Sequence, residues 1–289
     1  MRPAEDSIRI AREYLDSLCV ESRLVGAEPP SSRFELFGET FETPIMTAAL
    51  SHIDLVGMAE GARQAGAPVS IGMGDCDELR RVLATGAKVI KIIKPYADPG
   101  LIRSRIQCAE EAGAIAVGMD IEHALHAEDA DPDEIHGLRM KLPSLEELRA
   151  WVASTRLPFL IKGALSVQDA ERCLELGCAG VILSHHNGLM RCAVPPVRLL
   201  PEIREAVGDR LLLIVDGGIK SGFDAFKALA LGADAVTVGR ALMDPLKEKG
   251  AEGVRETLRT MTRQLQALMA RTGTPDLHRM DPSVIWQKP

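Results

Sequence analysis

The chain has 289 residues, 46% hydrophobic and 26% charged, which is enough apolar matter to bury a large core. A net charge of −7 with no local basic cluster argues against a nucleic-acid partner, and 3% aromatic content argues against a base-stacking or carbohydrate platform. No segment is apolar and long enough for a signal peptide or a membrane span. The six cysteines (Cys19, Cys76, Cys108, Cys173, Cys178, Cys192) form no CxxC and no zinc-like pairing with histidine, so the expectation is a cytoplasmic protein with reduced thiols, no membrane partner and no metal.

In chain order, the opening MRPAEDSIRIAREY reads as a short helical segment. Apolar, β-branched runs then recur at 44–49, 69–72, 89–93, 114–119, 159–162, 180–184, 211–216 and 235–238, and predict eight strands. Between them, amphipathic spacing predicts helices at 55–65, 76–85, 101–112, 167–176 and 222–231. One junction repeats at Gly66, Gly86, Gly113, Gly177 and Gly232, where a helix stops at glycine and a buried strand follows at once. Two stretches depart from the repeat. Residues 123–142 are rich in Asp, Glu and His and sit after the fourth strand, where a long loop overhangs the active face; residues 246–272 read as one or two helices before an irregular tail with Pro275 and Pro282. Eight such units fit a (β/α)₈ TIM barrel forming a single domain over 1–289.

In such a barrel, chemistry collects at the carboxyl ends of the strands. Those ends carry Asp120, Lys162, Ser184-His185-His186-Asn187-Gly188, Asp216-Gly217-Gly218-Ile219-Lys220 and Gly239-Arg240. Glycines after strands seven and eight let backbone N–H groups approach an oxyanion, and Lys220 and Arg240 add positive charge, so these two loops read as a phosphate cradle. Lys162 ends an apolar run and points into the barrel mouth, suited to a Schiff base or to stabilising an anion on a cofactor. His186 is a candidate base, with Asp120 placed to hold its imidazole and favour the imidazolium.

The segments IKGALSVQDAERCLELGCAGVILSHHNG and LLLIVDGGIKSGFDAFKALALGADAVTVGRAL, between Ile161 and Leu242, resemble the flavin-binding half of the FMN-dependent α-hydroxy-acid oxidase and dehydrogenase family. PIMTAA at 44–49 is similar to the family's first-strand motif, and VGMD at 117–120 to its fourth-strand motif. The resemblance implies FMN as cofactor, a small-molecule substrate and a homo-oligomer. It matches Lys162 to the lysine on the flavin N1–O2 edge, His186 to the base, and Asp120 to the aspartate that holds that base. It puts Ala48, Ser184, Asp216, Gly217, Gly218, Lys220, Gly239 and Arg240 on FMN. The implied reaction oxidises a 2-hydroxy acid or related alcohol, with hydride passing to flavin N5.

Departures from the pattern fall on the substrate side. Leu189 stands where the family has a carboxylate-gripping arginine, with Arg191 two residues on as the candidate replacement. The acid-rich stretch after Asp120 has no match for the second arginine. A Gln-x-Tyr on strand three becomes Ile90, Lys91 and Ile92, with Tyr96 nearby, and Tyr14 is the candidate for an N-terminal substrate tyrosine. The alternatives are a non-redox FMN-dependent isomerase-like barrel, or a flavin-binding protein with a degenerate substrate site.

Overall fold

The computed structural model describes residues 3–125, 131–186 and 188–288; Asn187 and residues 126–130 of the polar stretch lie outside the described residues. Eight strands form one parallel sheet: β1 (Ile45–Thr47), β2 (Val69–Ile71), β3 (Val89–Ile93), β4 (Ala116–Asp120), β5 (Phe159–Ala164), β6 (Gly180–Leu183), β7 (Leu212–Asp216) and β8 (Ala235–Val238). From β2 to β8 each strand pairs with the next in sequence, and β8 returns to β1. The seam between β1 and β2 closes through Thr47, whose Oγ1 accepts from the Ser70 N–H at 2.9 Å and donates to the Ser70 carbonyl at 3.0 Å, and through Gly72 N–H on the Leu50 carbonyl at 2.8 Å. The expected (β/α)₈ barrel is the observed fold, with strand ends within two residues of those read from the sequence.

Alternation along each strand divides the core in two. Met46, Ile90, Ile92, Ala116, Leu160, Ile182, Ile214 and Ala235 fill the lumen. A hairpin of Phe34–Leu36 and Glu39–Phe41 packs Phe34, Leu36 and Phe41 beneath them and closes the N-terminal end. The opposite phase (Ile45, Val117, Met119, Ile161, Val181, Leu213, Val236) packs against the helices. Filling one end leaves the other, where the strands finish, to carry polar groups.

The helices are α1 (Pro3–Ser17), α2 (Leu55–Gln64), α3 (Cys76–Leu83), α4 (Pro99–Ala112), α5 (Leu145–Ala153), α6 (Val167–Glu175), α7 (Pro196–Val207), α8 (Gly222–Ala230) and α9 (Arg240–Arg271), the last kinked at Gly250. Side chains of Asp54, Asp75, Asp98, Ser144, Ser166 and Ser221 accept from first-turn N–H groups, which explains where α2 to α6 and α8 begin. The five junction glycines all take positive φ, from 69° at Gly66 to 114° at Gly232, as a left-handed helix stop requires. Among the described residues no helix is long and apolar enough to cross a membrane.

Three features were not anticipated. The terminal segments Leu18–Val20 and Ile285–Gln287 pair antiparallel. Helix α1 braces the strand-end loops: Ser7 donates to the carbonyls of Met190 and Arg191, and Arg12 donates to the Gly218 carbonyl at 3.0 Å and to Asp224 at 2.8 Å. Cys76 and Cys108 form a disulfide between α3 and α4, which corrects the expectation that all six thiols are reduced. Cys19, Cys173, Cys178 and Cys192 are free.

Candidate active site

Because Asp120, Lys162 and Asp216 share the inward phase of their strands, they converge at the mouth of the barrel. Asp120 Oδ2 lies 3.3 Å from Nζ of Lys162 and 3.0 Å from Nδ1 of His186. Nζ of Lys162 also lies 2.8 Å from Nδ1 of His186, 3.3 Å from Glu122 and 3.9 Å from Asp216. Asp216 is fixed by Ser184 Oγ on one oxygen at 3.2 Å and by Thr237 Oγ1 on the other at 2.7 Å. His186 takes a left-handed conformation (φ 40°), and its N–H donates to Ser184 Oγ at 2.9 Å, so a strained turn aims the ring back over the barrel.

The electrostatics differ from the simple dyad. Burial raises the Asp120 carboxyl, but the Lys162 ammonium, then His186 and Lys94, hold it well below the usual carboxylate range. Burial alone would discharge Lys162, yet Asp120, Glu122 and Asp216 keep it protonated. His186 is pushed down to about 4 by burial and then by Lys162, against the pull of Asp120. Asp120 pulls toward the imidazolium as expected, but burial and Lys162 outweigh it, so the ring is neutral. Nδ1 of His186 accepts from the Lys162 ammonium instead.

Three residues that sequence reasoning missed share this cluster. Lys94, just past β3, is buried with Nζ 2.8 Å from Oδ2 of Asp120. Its signal was the alternation Ile90, Ile92, Lys94, all inward, whereas Lys91 faces the helices and donates to the carbonyls of Gly72 and Gly74. Glu122 is pushed up to about 7 by burial, partly offset by Lys162. His123 places Nε2 2.8 Å from Nε2 of His186 and Nδ1 2.9 Å from Asp133. Donor atoms of Asp120, His123 and His186 all lie within 4.8 Å of one another. A nitrogen pair at 2.8 Å is nevertheless a hydrogen bond rather than the wider span of two ligands on one ion, and two ammonium groups already share Asp120. We read the trio as a hydrogen-bonded chain.

A cavity of about 560 Å³ adjoins the cluster, within the size range of small-ligand sites. Lys162, His186, Ala48 and Asp216 line it, and so do Gly217, Gly218, Lys220, Gly239 and Arg240. Gly217 (φ 111°) and Gly218 (φ 79°) take backbone conformations that side chains rarely adopt. Arg240 opens α9, so a helix N-terminus faces the same space. Arg191 and Tyr14 do not line this cavity. Arg191 is exposed on a loop held through its backbone by Ser7, and Tyr14 is half-buried against the core on the side of Arg198. Both were expected to meet substrate, and neither lines this cavity. Tyr96 is buried beside Arg105.

The FMN-dependent dehydrogenase family model matches residues 4–141 and 124–287. The chain belongs to that family. An L-lactate oxidase of Alicycliphilus denitrificans is 38% identical over 203 residues, 68% of this chain and 56% of its own length. A 4-hydroxymandelate oxidase of Amycolatopsis orientalis is 29% identical over 282 residues, 84% of this chain and 79% of its own. The chain thus spans only about half the length of the curated lactate oxidase. A solved mandelate oxidase carrying a monooxide FMN adduct superposes with a TM-score of 0.88 at 29% identity, covering 98% of this chain and 92% of that one. FMN is the cofactor of this FMN-dependent dehydrogenase family member, and the residues fit it. Amides of left-handed glycines, two basic side chains and a helix N-terminus stand at one part of the cavity, and an ammonium, Lys162, at another.

Proposed function

We propose that this chain oxidises a 2-hydroxy acid or a related alcohol, with His186 taking the hydroxyl proton. When bound, FMN supplies the acceptor for the hydride. The observation that carries the reading is His186 at the rim of the cavity, its Nδ1 within 3.0 Å of Asp120 and 2.8 Å of Lys162, while the glycine and arginine cradle lines the same space. The family resemblance gives Lys162 to the flavin edge. With the ammonium engaged there, Nδ1–H of His186 has Asp120 as acceptor, and Nε2, which faces His123, becomes the basic nitrogen. Gly217, Gly218, Lys220, Gly239 and Arg240 hold the phosphate, and Ala48, Ser184 and Asp216 border the rest of the cofactor.

Lys94, which like Arg191 and Tyr14 is outside the cavity lining but unlike them is tied to the base through Asp120, is the cation we assign to the substrate carboxylate. It shares Asp120 with the base and is buried, so a carboxylate beside His186 meets it in a medium of low dielectric. The relatives named above are oxidases, which favours oxidation over the isomerase alternative. We further propose that the chain works as a single domain over 1–289 and as a homo-oligomer, on the family resemblance. We place it in the cytoplasm, on four unpaired cysteines against one disulfide.

The test is a panel of 2-hydroxy acids given to FMN-loaded protein, with the 2-oxo acid measured as product. The reading expects stoichiometric 2-oxo acid from at least one. No oxidation across lactate, glycolate, mandelate and longer-chain members contradicts it.

A further inference from the structure

Two imidazoles meet at the barrel mouth, Nε2 to Nε2 at 2.8 Å and edge to face, with ring centroids 4.1 Å apart. Neither two lone pairs nor two protons fit between nitrogens at that distance, so one proton lies between them. Behind His186 stand Asp120 and Lys162; behind His123 stands Asp133, 2.9 Å from Nδ1. His123 comes from the short helical turn Ile121–Ala124 that follows β4. Asp133 lies across the loop, whose ends are joined by a bridge between Leu125 and Pro132, and its second oxygen accepts from the Glu134 N–H at 2.8 Å. The side chain of Asp120 is 2% exposed, and those of His186, His123 and Asp133 are 28%, 16% and 15% exposed, so each of the last three reaches solvent.

A base that takes one proton per turnover must shed it before the next. We propose that His123 and Asp133 carry away the proton that His186 receives from the substrate hydroxyl. The proposal rests on the oxidation inferred above. The hydroxyl and His123 address the same nitrogen, so His123 acts once product has left it. The Nε2–H bond of the His186 imidazolium then breaks as Nε2 of His123 gains the proton. His123 in turn gives its Nδ1–H to the Asp133 carboxylate, which releases it to water. No electrons change hands, and one proton passes from His186 to water.

The surrounding charges drive the transfer that way. His186 faces Lys162 on β5, Lys94 after β3, and Asp120 and Glu122 at the end of β4. His123 faces Lys94, Asp120 and Asp133. Lys162 sits against His186 and not among the groups around His123, while Asp133 is bonded to His123. Burial lowers both rings, His186 to about 4 with Lys162 adding to the effect, whereas at His123 burial and Lys94 are offset in part by the bond to Asp133.

The experiment follows ring-nitrogen resonances of ¹⁵N-labelled, FMN-loaded protein against pH. His123 and His186 are expected to move together at one midpoint, and His186 to move alone in His123→Gln. Separate midpoints in the wild type overturn the proposal. With whichever 2-hydroxy acid the wild type oxidises, His123→Gln is expected to lose turnover about tenfold or more and to regain part of it when imidazole is added. Asp133→Asn should show a smaller loss with the same rescue, and retained yellow colour confirms that each variant is folded. A loss that imidazole does not relieve overturns the proposal. If the wild type oxidises no 2-hydroxy acid, the functional reading falls instead, and the ring titration still decides whether the pair shares its proton.

Discussion

Nζ of Lys94 lies 2.8 Å from Oδ2 of Asp120, the same oxygen that Nδ1 of His186 meets at 3.0 Å. One carboxylate oxygen thus ties the base to a buried cation on a different strand. Lys94→Met removes that cation without removing bulk. If Lys94 grips the substrate carboxylate, KM should rise about tenfold to a hundredfold, the worth of one hydrogen bond to a charged group. The His186 pKa should also rise, since Lys94 is among the charges that lower it. An unchanged KM would remove Lys94 from the substrate site.

Asp120→Asn should damage fold and chemistry together. Lys94 and Lys162 both lean on this carboxylate, and its loss leaves two buried ammonium groups with only Glu122 and Asp216. Breaking a buried pair typically costs about 3–5 kcal/mol, readable as a lowered urea midpoint. Turnover should fall by about a hundredfold or more, because nothing then holds Nδ1–H of His186. Full stability in the variant would show that these ions are solvated.

Glu122 gives the protein a pH signature. Burial raises its folded pKa to about 7, above its ordinary value of 4.5, so folding favours the protonated form. The contribution of Glu122 to stability should therefore be greatest below the ordinary value, decline as pH rises toward 7, and level off beyond, with a total loss of about 3 kcal/mol at most, while His186, lowered to about 4, opposes it over the same range. The difference in stability between the wild type and Glu122→Gln, measured by denaturation from pH 4.5 to 8, should show this slope. Parallel profiles would contradict it.

Arg12 acts on the cofactor from behind. It donates to the Gly218 carbonyl and pairs with Asp224, whose Oδ2 in turn accepts from the Lys220 N–H at 3.1 Å. Arg12→Ala should weaken FMN binding several-fold, while Arg240→Ala, which removes a cavity-lining charge, should weaken it by about tenfold or more. Quenching of flavin fluorescence on titration measures both. Equal affinities in all three proteins would detach the cradle from FMN.

The barrel was legible because its signals are local. Short β-branched runs mark strands, and a glycine such as Gly113 is needed wherever a helix turns at once into a strand. Strand-tip residues such as Lys162 and Asp216 were legible for the same reason. Lys94 was not, because apart from Lys91 the run Val89–Ile93 is apolar on both faces, so composition hides which phase points inward; pairing of Ile90 with Ala116 settles it. His123 sits in a polar stretch whose partner, His186, lies 63 residues on, and no periodicity connects them. Cys76 and Cys108 join separate helices 32 residues apart, which spacing alone does not reveal. Arg191 and Tyr14 were put at the substrate by residue type and by the family resemblance, and neither lines the cavity described above.

The account stands on His186 as the group that takes the substrate's proton. Its most direct test is anaerobic mixing of FMN-loaded protein with a 2-hydroxy acid, followed at about 450 nm, where oxidised flavin absorbs. The wild type should bleach, and His186→Ala should stay yellow. Equal bleaching in both, or a purified protein that takes up no FMN, would contradict the account.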